Sequence, residues 1–222
     1  LTLFLLPEGV DCLCFDLVLQ VADPAGFQIL LGQLAELYQG HSVTVSSGTP
    51  DPEPASTADV AYWQEQVAQM RPGSILEQQR DPTRMHHCRY QATAAKLDAA
   101  QWQAVQSRAS SLGVHPTTLA MAAFADTMRQ AAETDFVLNL PIFHTTGHTV
   151  EYPDRITDRT RLLTLAVRKA DQMSDILARY QAGMTHIRLD GLEVQAMLRE
   201  RHPEETLLAP NVFSPTPGLK LV

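Results

Sequence analysis

Two short runs, residues 136–143 (FVLNLPIF) and 162–167 (LLTLAV), are almost wholly apolar and too short for helices. Each reads as an inner strand covered on both faces. Around them lie segments with helical spacing and marked starts. Asp23-Pro24 opens one helix, with Asp as N-cap and Pro at the first helical position; Phe27, Leu30, Leu31, Leu34, Leu37 and Tyr38 then form one apolar face, and Gly40 stops it. Val60, Trp63, Val67 and Met70 mark a second helix. Asp98 with Gln101 opens a third that runs to a stop at Gly113, and Thr117 caps an Ala-rich helix (Met121, Phe124, Met128) expected to be fully buried. Helices are also expected over residues 171–180 and 192–202, the latter opened by Asp190 with Glu193 at the capping-box position. Strands are expected over residues 1–6, 12–22 and 90–97, the second too apolar to have a wet face. Strands alternate with helices, so the fold class is α/β, a layered sheet with flanking helices.

The chain has 222 residues, 45 % of them hydrophobic and 19 % charged, enough to bury a sizeable core. Residues 46–58 (SSGTPDPEPASTA) form the one linker-like stretch. Too little precedes it to build a core alone, so residues 1–222 read as one domain. The net charge of -8 repels phosphate backbones, so neither nucleic acid nor an anionic membrane is expected as a partner. No apolar run is long enough to cross a membrane as a helix, and three cysteines suit a reducing cytoplasm better than a disulfide framework. The chain begins at Leu1 without a Met or a signal-peptide pattern, as expected of a segment of something longer.

Candidate chemistry is sparse. Cys12 and Cys14 lie two apart, expected on one face of a strand; with Cys88 as the third cysteine they are too few for a zinc set and read as ordinary thiols. His186 stands four residues before Asp190-Gly191, but Asp190 already serves as a helix cap, so His186 reads as structural. His86-His87 has no nearby carboxylate. His144 and His148 have the spacing of a zinc helix, but Gly147 and the preceding strand spoil it. There is no phosphate loop and no Gly-x-Ser-x-Gly elbow. From these residues, no metal or cofactor site is expected.

The order of the segments resembles the condensation-domain superfamily of nonribosomal peptide synthetases, and most of all its heterocyclization (Cy) subclass. VLQVADPAGFQILLGQLAELY, residues 18–38, is similar to the family's strand-to-helix segment, in which the strand ends in a His-His-x-x-x-Asp-Gly or Asp-x-x-x-x-Asp motif and a Leu-rich helix ending in Leu-Tyr follows. AYWQEQV (61–67) resembles its Tyr-Trp helix, LDAAQW (97–102) through Phe124 its paired helices, and FVLNLPIF its Asn-Leu strand. ITDRT (156–160) stands where the family has Gly-Asp-Phe-Thr. DGLEVQAML (190–198) is similar to its Ser-Gly-x-Glu-Val helix, and Val212-Phe213-Ser214 to its Val-Phe-Thr.

The resemblance implies one lobe, mostly the C-terminal one, of a chloramphenicol acetyltransferase-like fold whose active site is a tunnel between two lobes. It also implies phosphopantetheine arms on partner carrier domains, with no cofactor bound directly, and adjacent carrier, adenylation or tailoring domains as partners. Aligned on Asp23, Val18 and Leu19 occupy the positions of the two histidines, and Val18 also that of the first Asp of the Cy motif; neither handles a proton. The family's Asn-Arg pair reads His144-Thr145, and Arg159 replaces a buried aromatic. Ser214 stands in place of the cyclodehydration Thr, with Thr216 close by; the Asp of that pair belongs to a segment expected beyond Val222. The resemblance therefore implies a truncated, non-catalytic domain serving as a structural or interaction platform. The alternative is a piece of an active condensation or heterocyclization domain, in which Asp23, Ser214 and Thr216 would work.

Overall fold

The computed structural model describes residues 2–7, 9, 11–15, 24–43, 54–73, 94–142, 161–205 and 208–214. Two units divide the chain. One comprises Leu1–Pro52 and Ile142–Arg161, the other Glu53–Pro141 and Leu162–Val222.

In the first unit, β1 (Thr2–Leu5) and β2 (Asp11–Cys14) form an antiparallel hairpin, Thr2 opposite Cys14 and Phe4 opposite Cys12. A turn with Gly9 at φ 74° joins them, a conformation open to glycine without strain. All four β2 residues are exposed, against the expectation of a strand without a wet face; a two-stranded ribbon has no second layer of its own to cover it. The strand stops at Cys14, short of the expected end, and residues 16–22 lie outside the described residues. Helix α1 (Pro24–Tyr38) starts with proline in its first turn and ends before Gly40, whose φ is 84°. Phe27, Ile29 and Leu30 are half-buried, while Leu37 and Tyr38 at its end are exposed.

The second unit holds the core. Helix α2 (Thr57–Gln69) begins inside the expected linker because Ser56 caps it. Helix α3 (Ala99–Ser111) opens on the Asp98–Gln101 capping box, as the spacing predicts. Of the strand expected over 90–97, residues 94–97 are irregular, with Leu97 exposed, and deliver the chain to the Asp98 cap, while residues 90–93 lie outside the described residues. Helix α4 (Pro116–Ala131) starts at Pro116 with His115 as N-cap, displacing the expected Thr117 cap; the fixed φ of proline suits the first helical position. It buries Leu119, Met121, Ala122 and Ala125 and leaves Thr127 and Gln130 outside, so it is one-sided rather than fully buried.

Strand β3 (Phe136–Ile142) lies between β4 (Arg161–Val167) and β5 (Asn211–Val212), and β5 runs parallel to it. Residues 136–141 are all buried, so both faces of β3 are covered, which is why its sequence does not alternate. Leu138, Leu140, Leu163, Leu165 and Val167 are fully buried, as are Ile176 of α5 (Met173–Thr185) and Val194 and Leu198 of α6 (Gly191–Arg201). Helix α6 packs against α2, and α4 against both α3 and α5. Helix α5 starts two residues later than expected, with Gln172 as N-cap donating its amide to Asp175, and runs five residues past the expected end at Tyr180. Helix α6 opens on the predicted Asp190–Glu193 box.

Candidate functional site

Asn139 interrupts the apolar run of β3 and is 6 % exposed. A buried amide costs free energy unless both its donor and its acceptor are paired. Here Nδ2 donates to the Ala209 carbonyl at 2.7 Å, and Oδ1 accepts from Thr164 Oγ1 at 3.1 Å and from Gln195 Nε2 at 3.3 Å. One side chain thus joins β3, β4, α6 and the segment entering β5. Asn211 continues the pattern, donating from Nδ2 to the carbonyls of Val137 (3.0 Å) and Gly73 (3.3 Å). The Phe213 amide donates to the Asn139 carbonyl at 3.0 Å, and its ring meets Phe124 at 5.3 Å between centroids.

This network fixes the backbone that presents Ser214, the candidate alcohol. Ser214 itself is exposed, and no described His, Asp or Glu hydrogen-bonds its hydroxyl. Val18, Leu19, Asp23 and Thr216, with His86, His87, His144, His148 and Arg159, lie outside the described residues.

His186 has a carboxylate partner, though not Asp190. Its Nδ1 lies 2.8 Å from Asp59 Oδ1, on a residue 127 positions away. Asp59 Oδ2 accepts from the Ser56 amide at 2.8 Å and the Ser56 hydroxyl at 2.7 Å. The Ser56 bonds, then the His186 bond, hold the Asp59 carboxyl down at about 2. The Tyr62 ring stacks on the imidazole at 4.2 Å, and Trp63 Nε1 donates to the His186 carbonyl at 2.9 Å. A carboxylate so far depressed and so fully engaged does not serve as a general base near neutral pH. The cluster clamps the start of α2 to the end of α5. Asp190 meanwhile accepts from the Leu192 amide at 2.9 Å and only caps α6.

A second buried carboxylate is equally occupied. Arg179 Nη1 and Nη2 donate to Asp171 Oδ2 and Oδ1 at 2.7 and 3.0 Å, and Nη1 also reaches the Ala166 carbonyl at 2.6 Å. Burial works to raise Asp171, but Arg179 and the Arg168 amide outweigh it and hold the carboxyl below its ordinary value. Among the described residues no three His, Cys, Asp or Glu side chains gather as a metal site, and no helix is long and apolar enough to cross a membrane.

The fold is that of the condensation and cyclization domains of nonribosomal peptide synthetases. The cyclization-docking bidomain of EpoB from Sorangium cellulosum superposes with a TM-score of 0.70 at 19 % identity, over 91 % of this chain and 45 % of that one. The nonribosomal peptide synthetase FmoA3 gives 0.69 at 23 % identity, over 89 % of this chain and 22 % of that one. In sequence the chain is similar to phenyloxazoline synthase MbtB of Mycobacterium tuberculosis, 29 % identical over 249 aligned positions that cover 99 % of the chain. The chain spans 17 % of the length of that relative. No family model matches the chain. The resemblance to the condensation superfamily, and to its cyclization branch, rests on these likenesses.

Proposed function

We propose that residues 1–222 form a single heterocyclization-like domain of a nonribosomal peptide synthetase that positions neighbouring domains and performs no chemistry itself. The observation that carries this reading is Val18 with Leu19: two aliphatic side chains stand where the resemblance puts proton-handling residues, and neither can give, take or orient a proton. The exposed Ser214, without a described acid or base beside it, supports it further. The partners are then adjacent domains of the same cytoplasmic polypeptide, whether carrier, adenylation or tailoring domains. The EpoB structure, a cyclization domain joined to a docking domain, supports an adjacent domain as such and not one of these three in particular. Phosphopantetheine belongs in this reading to the carrier domains.

The similarity to a phenyloxazoline synthase over nearly the whole chain favours a second reading, an active domain. It would join carrier-bound aminoacyl thioesters into a peptide bond or a thiazoline or oxazoline ring, with Asp23, Ser214 and Thr216 at work. The two readings separate in one assay. Carrier domains loaded with an aminoacyl donor and a Cys or Ser acceptor are mixed with the chain and followed by intact mass. The platform reading expects no amide and no loss of water above the chain-free control. Chain-dependent amide formation or dehydration establishes the enzyme.

A further inference from the structure

We propose that Cys12 and Cys14 form a two-thiolate site for a soft metal ion of low coordination number, of the monovalent copper class. Strand alternation places positions 12 and 14 on one face of the β1–β2 ribbon and turns Asp11 and Leu13 to the other. Both thiols are free and exposed. Their cross-strand neighbours on that face, Phe4 and Thr2, carry no charge to compete for a cation. Desolvation first, then the neighbouring Cys12, pushes the Cys14 thiol above its ordinary value.

The number of ligands selects the ion. Zinc requires four ligands and calcium or magnesium an oxygen cage, whereas soft thiolates select monovalent copper. Because the ribbon already holds both sulfurs on one face, the second bond closes within the molecule, at an effective concentration far above that of a free thiol. Binding forms two S–Cu bonds and releases two thiol protons to solvent. Copper enters and stays in the +1 state, so no oxidant or reductant is needed.

The test uses the reduced chain, without oxygen, titrated into the coloured Cu(I)–bathocuproinedisulfonate complex, whose bleaching reports transfer of the ion. One Cu(I) per chain is expected for the wild type and for Cys88→Ser. Cys12→Ser and Cys14→Ser, conservative changes at exposed positions, should each withdraw at least tenfold less. No withdrawal by the wild type, undiminished withdrawal by either single variant, or loss with Cys88→Ser alone overturns the assignment.

Discussion

Asp59 accepts hydrogen bonds from the Ser56 amide, the Ser56 hydroxyl and His186, and these donors hold its carboxyl near 2 against an ordinary 3.8. A depressed carboxyl contributes stability in full above the unfolded value and loses it as the pH falls from 3.8 towards 2. Asp59→Asn, which cannot ionise, is therefore expected to melt earlier than wild type at pH 7, with the gap between the two narrowing across that acid window. Thermal melts at pH 7, 4 and 2.5 measure it. Asn139 makes a separate prediction: Asn139→Ala strands the Ala209 carbonyl, Thr164 and Gln195, at a cost of about 1–3 kcal/mol in the urea unfolding free energy. Residue-scale legibility was uneven. Val18 and Leu19 stand out against the motif in the sequence itself. The Asp59–His186 contact does not, because it spans 127 positions and only folding brings it together; the sequence signal available was the Ser56-x-x-Asp59 box at the start of α2.

At the scale of elements, helices were legible where local chemistry sets the boundary. The boxes at Asp98 and Asp190 lie where expected, and Pro116 moved one start from Thr117 to His115. Strand β5 was not legible as a strand, since two residues carry no periodicity and it is held by the Asn139 and Asn211 side chains. The closeness of α6 to β4 turns on Gly191. A Cβ there would lie 2.3 Å from the Leu162 carbonyl oxygen, which is backbone and cannot turn aside. Gly191→Ala should cost about 1–3 kcal/mol or more by overpacking. At Gly183, in α5, a Cβ meets the Leu163 Cδ1 methyl at 2.9 Å, the end of a side chain that can rotate. The roughly 1 kcal/mol of helix propensity gained by alanine offsets that contact, so Gly183→Ala should lie within about 1 kcal/mol of wild type. Urea midpoints of the two variants, at unchanged slope, decide the contrast.

For the whole molecule, the α/β class followed from two apolar runs set among capped helices, and the order of the segments pointed to the condensation-like fold. The buried Asn139 network was not legible, because an Asn in an apolar strand does not say which partners satisfy it. The central claim is that the chain supplies its fold and no chemistry. Product formation by the polypeptide that carries this chain tests it most directly, with Asp23→Asn, Ser214→Ala and Thr216→Ala each compared with Gly191→Ala. Asparagine retains helix-capping ability while removing the carboxylate. The account predicts wild-type output from the first three and a severalfold loss from Gly191→Ala, which disturbs the packing of α6 on β4. A tenfold or greater loss in any of the first three, with an unchanged urea midpoint, would contradict it.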